Sequence, residues 1–436
     1  MIGLALAYLR DRAGQSLLNV LLLALAVASL VALLLVSARV TDRFARDSQG
    51  IDLVVGAKGS PLQLILSAVF HLDQPTGNIP LETVAMLRAD PGVARAIPLA
   101  LGDNFRGYRI VGTEESFLEL HGSRLAEGRL WKAPMEAVIG AEVARRTGAR
   151  PGQRFLGSHG LGADTDGAMA HDHAPYTVTG ILAPTGTVAD RLILTSVESV
   201  WDVHGIAHHD DADRGHEHDH DHDHTHEHTR AHTHDDSHDH GEPAAPVLAG
   251  RKTLEPEVTA LLVTYASPAA AIRLPAAINR QTALQAAVPA QETARFLSLF
   301  DGAIAGARLL AILIAAAAAL SIFTVLLAAA RTRAGDLALL RVMGARPRQL
   351  FATVILEGLL VAAAGGLLGL LLGHVVVELA ARSFPALAGI GVTGLTLLPG
   401  EGLILGGALL LGALAAVLPA SAQFRTDLAT TLARSQ

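Results

Sequence analysis

Long uncharged runs and short alternating ones divide the chain into two kinds of territory. Between Arg12 and Arg39 stand 26 residues without a charge, mostly Leu, Ala and Val. About 20 apolar residues cross a bilayer as a helix, so residues 13–38 are expected to form a first span. Val36-Ser37-Ala38 has the small side chains of a cleavage site. The apolar core of a signal peptide is only about 7–15 residues, however, and the longer run here reads as an uncleaved anchor. Three further spans are expected at 301–330, uncharged from Leu309 to Ala330, at 350–381, interrupted by Glu357, His374 and Glu378, and at 402–424.

The territory between the first and second spans has shorter periods. Ile51 to Val55, Tyr108 to Val111, Ala137 to Ile139, Tyr176 to Thr179 and Leu261 to Thr264 have the β-branched and aromatic content of strands. Ser60-Pro61 fits an N-cap followed by proline at the first helical position, with Leu62, Ile65, Leu66, Val69 and Phe70 at helical spacing behind it. Leu81 to Arg88 reads as a second helix, closed by Pro91-Gly92. From Gln291 to Ala330 no proline intervenes, and a continuous helix of that length measures about 60 Å, twice what a membrane needs. The excess predicts either a stalk continuing the second span or a break near Gly302 or Gly306. The fold class is therefore an α-helical membrane protein with four transmembrane helices plus an α+β extracytoplasmic domain, residues 39–300, inserted between the first and second.

Composition supports that division. Half of the 436 residues are apolar, and charged residues make up 17%, against about 25% in ordinary globular domains. Aromatics at 4% and a net charge of −7 argue against a nucleic-acid partner, and the absence of cysteine excludes disulfides, thiolate metal sites and thiol catalysis. Arg331, Arg333, Arg341, Arg346 and Arg348 lie between the second and third spans, Arg10 and Arg12 before the first, and Arg425 and Arg434 after the fourth. The positive-inside rule places residues 1–12, 331–349 and 425–436 in the cytoplasm. The expectation is a multi-pass protein, N-in and C-in, with residues 382–401 as a second outer loop. No Gly-x-Ser-x-Gly elbow, His-Glu-x-x-His motif or phosphate loop of the Gly-x-x-x-x-Gly-Lys-Ser/Thr type is present. Gly56-Ala-Lys-Gly-Ser60 only echoes the last of these. An enzyme is not expected.

The acidity belongs to one stretch. Between His204 and His240 fall 14 of the 20 histidines, 11 acidic residues and two arginines, which sum to −9 and leave about +2 for the rest. Histidine stands at every second position through His216, His218, His220, His222, His224, His226 and His228, followed by His232, His234, His238 and His240, with His159, His171 and His173 in a smaller group. In an extended chain this alternation puts imidazoles on one side and carboxylates on the other, a low-specificity supply of nitrogen ligands for Zn²⁺, Ni²⁺ or Cu²⁺. Nothing in residues 204–242 can build a core, so the insert is expected to stay disordered and to gather metal in several registers. A polar insert that binds metal only incidentally remains open.

Gly365, Gly369 and Gly373, and again Gly402 and Gly406, lie four apart, the spacing that lets helix backbones approach within one subunit or between two. Glu357, His374 and Glu378 sit near the ends of the third span and are candidates for a metal or proton path, or simply for caps.

The loop after the second span carries the most specific pattern. Asp336, Leu339, Leu340, Arg341, Val342, Met343, Gly344 and Ala345 combine an acidic residue, an apolar face, arginine and a Gly-Ala turn. This segment resembles the coupling loop of MacB/FtsX-like ABC transporter permeases. Val138-Ile-Gly140, Gly148-Ala-Arg-Pro-Gly152, Val178-Thr-Gly-Ile-Leu182 and Leu418-Pro-Ala420 are similar to the family as well. The resemblance implies a permease subunit in a bacterial inner membrane, paired as a homodimer with a separate ATPase that alone binds ATP. It also implies an extracytoplasmic domain moved by that ATPase, and a lipoprotein, peptide or other periplasmic partner. The histidine insert departs from the family pattern and adds zinc-linked export as an alternative substrate class. A metal-ion carrier, or a membrane-anchored metal-binding protein without an ATPase, is the competing reading.

Removing residues 208–240 tests the insert directly. Zinc binding at neutral pH, measured by calorimetry, should fall to a small fraction, while the thermal midpoint stays unchanged because the segment contributes no apolar face.

Overall fold

The computed structural model describes residues 2–158, 174–204, 256–332, 343–344, 346–384, 387 and 391–422. In chain order the helices are α1 (Ile2–Asp11), α2 (Ala13–Asp47), α3 (Pro61–Ala68), α4 (Glu82–Arg88), α5 (Glu115–Leu120), α6 (Ala141–Thr147), α7 (Val197–His204), α8 (Pro268–Gln281), α9 (Pro289–Thr332), α10 (Pro347–Ser383) and α11 (Pro399–Ala422). The strands are β1 (Leu53–Ala57), β2 (Ile79–Pro80), β3 (Val93–Phe105), β4 (Tyr108–Gly112), β5 (Leu125–Gly128), β6 (Glu136–Ile139), β7 (Arg154–Phe155), β8 (Tyr176–Leu182), β9 (Ile193–Thr195), β10 (Glu257–Val258), β11 (Ala260–Tyr265) and β12 (Leu284–Ala287). They form two units, one of Met1–Gln49 with Ala290–Gln436 and one of Gly50–Pro289.

The first unit is helical, and α2, α9, α10 and α11 are each long and apolar enough to span a membrane. Helix α10 is the hub, packed most extensively on α2 and then on α11. Its glycines explain why. A Cβ on Gly365 would lie 3.0 Å from Leu23 Cβ, one on Gly369 2.6 Å from Ala24 O and Val27 Cβ, and one on Gly373 2.8 Å from Val31 Cγ1. The ridge Leu23, Val27, Val31, Leu35, one residue per turn, is fully buried by this approach. On the other side of α10, Gly358 faces Gly412 of α11, with a Cβ on Gly358 only 2.7 Å from Gly412 O. Without a hydrophobic force between helices in lipid, such close backbone contact is what holds spans together. The second glycine pair behaves otherwise. Around Gly402 and Gly406 no atom comes within 4 Å of an added Cβ.

Helices run past the expected span ends. Helix α2 continues nine residues beyond Ala38, to Asp47. Helix α9 is unbroken over 44 residues, with no interruption at Gly302 or Gly306, and measures about 66 Å at 1.5 Å per residue. Beyond the apolar stretches these two helices meet through aromatic rings, Phe44 of α2 against Phe296 of α9 at 5.8 Å, with Phe300 one turn along α9 stacked edge-on to Phe296 at 5.3 Å. Within the apolar stretches, Ser321 Oγ donates to Asn19 Oδ1 at 2.6 Å.

The second unit is α+β. Its mixed sheet runs β12-β1-β11-β3-β4-β9-β6-β8-β5, with β7 alongside β8 and a separate β10-β2 pair. β4 lies parallel to β9, and β6 parallel to β8, while β1, β11, β3 and β12 pair antiparallel. β3 joins the two halves, pairing with β11 from Val93 to Leu99 and with β4 from Ala100 to Phe105. One core collects Leu53, Val55, Leu261 and Val263 under α4, α7 and α8; the other collects Ile110, Ala137, Ile139, Tyr176 and Ile193 with Val143 of α6. Helix α8 turns Ala270, Leu274 and Ile278, four apart, to the first core and Ile272 to solvent. Ser60 caps α3, its Oγ accepting from Gln63 N, with Pro61 at the first position. Lys58 of the phosphate-loop echo donates to Asn279 O and Thr282 O at the end of α8.

A buried basic cluster lies in this unit. Burial lowers the His121 ring to about 4. His71, held at φ +55 with both ring nitrogens shut off from solvent, is lowered well below the usual imidazole range by burial and then by the charges of Arg109, His121 and Arg191. Arg109, itself lowered to about 10 by burial, donates to Asp73 O at 2.9 Å.

Two measurements follow from the packing and the cluster. Gly369→Val forces a clash of the overpacking kind, worth about 1–3 kcal/mol. It should lower the thermal midpoint in detergent, whereas Gly406→Val should leave it unchanged. For the histidines, the unfolded chain binds protons near pH 6.5 that the folded chain refuses, so stability falls as pH drops through the window from 6.5 to about 4. For His121 the loss reaches about 3 kcal/mol at the lower end. His121→Phe should remove that share of the acid sensitivity, read by thermal denaturation at pH 7 and pH 5.

Candidate functional site

The end of the helical unit nearest the arginine-rich loop is built from α1, the start of α2, the end of α9 and the start of α10. Helix α1 packs on α10, with Ala5 fully buried and Leu9 against the cluster of Ile322, Leu326, Val354 and Val361. Arg12 donates to Thr332 Oγ1 at 2.6 Å, joining the start of α2 to the end of α9. Of the loop residues, Met343 and Gly344 are described: Met343 is 75% exposed, and Gly344 adopts φ +99. An apolar side chain presented to water beside a turn that requires glycine is what a docking loop needs. Arg346 N then donates to Gln349 Oε1 at 2.9 Å and Pro347 opens α10, so the loop ends on a capped helix. Asp336, Leu339, Leu340, Arg341, Val342 and Ala345 lie outside the described residues. Glu357 is buried in the adjoining turns of α10, next to the Gly358–Gly412 contact.

The opposite end of α10 carries a polar network that sequence patterns showed only in part. His374 and Glu378, one turn apart on one face, hold a single residue of the following loop, Gly394. His374 Nδ1 donates to Gly394 O at 2.6 Å, and Gly394 N donates to Glu378 Oε2 at 3.1 Å. Thr393 Oγ1 and Arg382 Nε also donate to Glu378, at 3.0 and 2.9 Å. The loop runs so close to the helix that any Cβ on Gly394 would overlap His374 O. Glu401 of α11 completes the network. Its Oε1 accepts from Leu398 N at 2.9 Å, and its Oε2 lies 3.2 Å from His374 Nε2. Glu401 marked only the edge of the fourth span in the sequence; being third in a helix begun by Leu398-Pro399 is the signal that assigns it to a cap.

The histidine-bearing stretches fall outside the described residues, including His159, His171, His173, His216, His218, His220, His222, His224, His226, His228, His232, His234, His238 and His240. Their points of departure are described. His204 ends α7, with Nδ1 2.8 Å from Val200 O and Nε2 3.9 Å from Asp103 Oδ1. Asn104, next in sequence, is bridged to Ser158 by reciprocal backbone bonds of 2.9 and 2.8 Å. Both stretches therefore leave the α+β unit beside the end of β3. Trp201 Nε1 donates to Glu257 O at 2.7 Å and ties the two stems of the longer one together. Beside those stems a groove of about 680 Å³ is lined by Leu81, Val84, Val197 and Trp201, with Arg88 committed to Ala96 O and Glu114. Among the described residues no group of three His, Asp or Glu side chains could hold a metal.

Two family models match the chain. The MacB-like periplasmic core domain matches residues 16–215, and the FtsX-like permease C-terminal domain matches residues 308–428. The first match ends one residue before His216, and the second encloses the arginine-rich loop. Among solved structures, the periplasmic region of MacB from Actinobacillus actinomycetemcomitans aligns at 10% identity and TM-score 0.31, covering 57% of this chain and 95% of its own. The extracellular domain of the noncanonical ABC-type transporter YknZ from Gram-positive bacteria aligns at 12% identity and TM-score 0.29, covering 54% and 98%. No curated protein matches.

Proposed function

The chain belongs to the MacB/FtsX-like permeases of ABC transporters, and on that premise we propose that it is a non-catalytic membrane subunit carrying ATP-driven motion from a separate ATPase to its α+β domain. Permeases of this family usually work with such an ATPase. The observation that carries the reading is the loop Asp336–Ala345, where a run of apolar residues and Arg341 sit between two spans inside the FtsX-like match. A loop serving only to set topology would need the arginines but not Leu339, Leu340, Val342 and the exposed Met343.

In this reading the arginine-rich ends face the cytoplasm of a bacterial cell, with the chain N-in and C-in, and two copies pair around two ATPases. Closure of the ATPases pushes the loop, and α9, as one uninterrupted helix, transmits the displacement. The substrate class is a lipoprotein, a peptide or a metal-linked solute, with zinc gathered on the histidine insert. The common exit point of the two histidine stretches beside β3 supports pooling of their ligands. The carrier alternative needs free ligands in the spans. His374 and Glu378 are instead engaged with Gly394, which favours the permease reading.

Leu340→Asp and Arg341→Glu should each reduce co-purification of the ATPase at least tenfold or leave its turnover insensitive to the permease, with all four spans still inserted. Intact complexes with normal turnover in both variants would remove the coupling assignment.

A further inference from the structure

The chain between α10 and α11 turns back along the helix it has just left. Helix α10 runs to Ser383, yet Gly394 is bonded to His374 and Glu378, so the loop has returned about 7–14 Å from the helix end. Glu401, in the first turn of α11, meets His374 at the same level, 3.2 Å from Nε2. The charged residues that end the apolar runs place this level in the bundle. Gly373 faces Val31 of the parallel α2, so Arg39 and Arg382, eight and nine residues further on, come level with each other. They stand about 6–12 Å beyond the turn that holds Gly394. On the antiparallel α9, Ser321 bonds to Asn19. Thirteen residues from that bond on each helix, Arg308 comes level with Ala32, and hence with His374. The loop therefore lies in a layer about 10 Å deep, with Arg308 at one boundary and Arg39 and Arg382 at the other. The polar interface of one leaflet adds about 5–8 Å to the hydrocarbon, so the loop sits at the depth of that interface.

What the loop presents there is apolar. Leu395 and Leu397 are 78% and 76% exposed, and Val375, Val376 and Leu379 are exposed on the turns of α10 at the same level. Val392 and Leu398 turn the other way, into the cluster around Leu35. The backbone of the loop is also unusually well supplied. Val392 N donates to Leu387 O, Gly394 N to Glu378, Leu395 N to Thr393 Oγ1, and Leu398 N to Glu401 Oε1. A loop in water can leave its amides to solvent, whereas backbone at the edge of lipid must find its partners within the protein. We propose that residues 391–398 form an interfacial lipid-binding loop, in which Leu395 and Leu397 insert among the upper acyl chains of the adjacent leaflet. The bonds from His374 and Glu378 to Gly394 hold the two leucines at that depth, and the loop anchors this end of α10 and α11 against vertical movement. The partner is lipid because the leucines stand level with span residues that face outward from the bundle. The assignment is independent of any ATPase.

The chain contains no cysteine, so single cysteines can carry a nitroxide in the full-length protein, reconstituted in vesicles of phosphatidylcholine and phosphatidylglycerol. Power-saturation electron paramagnetic resonance then compares collisions with oxygen, which concentrates in lipid, and with a water-soluble nickel chelate. Leu403→Cys, exposed within the apolar run of α11, and Ser383→Cys, at the end of α10, give the lipid and water references. Labels at Leu395→Cys and Leu397→Cys should show an oxygen-to-nickel ratio well above that at Ser383 and close to that at Leu403. A ratio equal to that at Ser383 puts the leucines in water and overturns the proposal. Suppression of both collision rates overturns it as well, because protein then covers the loop, either the α+β unit or a second copy. If a labelled variant fails to reconstitute, Leu395→Trp in brominated lipid decides. Emission quenched no more than that of the wild type, whose Trp131 and Trp201 are buried, rejects lipid contact.

Discussion

The closeness of α10 to its neighbours governs the helical unit. Lipid offers helices no hydrophobic reason to associate, so what remains is dispersion between surfaces that fit and hydrogen bonds that lipid cannot supply. Three glycines at four-residue intervals open a groove along α10, and one side chain per turn of α2 fills it. Because residue numbers rise together along both helices, from Leu23 and Gly365 to Val31 and Gly373, the two run parallel. The opposite face of α10 repeats the arrangement antiparallel with α11 through Gly358 and Gly412. With its position fixed on two sides, α10 follows the exposed Met343-Gly344 turn at one end and holds the loop of residues 391–398 at the other.

In the α+β unit the corresponding constraint is β3. A single strand of 13 residues is shared by two sheet halves that bury separate cores. Its far end is also where both histidine stretches depart, beside residues of both cores: Trp201 and Val258 belong to the first, and Phe105 and Val203 pack against the second. Trp201 closes the stem on Glu257 O.

Much of this was legible in the chain. The four spans follow from the length of the apolar runs, three of them uncharged and the third in chain order carrying Glu357 and Glu378, and Ser60-Pro61 announced α3 through the chemistry of an N-cap. Strands β4, β6, β8 and β11 announced themselves by β-branched alternation. β3 did not, because Ala94, Ala96, Pro98, Ala100 and Gly102 read as breakers or helix formers; it is a strand because β11 and β4 supply partners on either side. The α3 residues Leu62 and Leu66 fit the helical period, yet Leu64, Ile65 and Ala68 are the buried ones, since tertiary contact and not spacing chooses the face. Clusters assembled across the chain, such as His71 with His121, Arg109 and Arg191, or His374 with Glu401, have no local pattern to find.

Helix α9 is mechanically a long beam with little lateral bracing. A tilt of about 5° at one end of a straight 44-residue helix displaces the other by about 6 Å, enough to move a packed neighbour by a full helical turn. Such amplification is only as good as the beam is stiff. Gly302 and Gly306 lie within it with no atom within 4 Å of an added Cβ, and each costs about 1 kcal/mol of helix stability relative to alanine. The segment around them is consequently a place of bending compliance, where part of any displacement applied at one end of the helix is absorbed before it reaches the other.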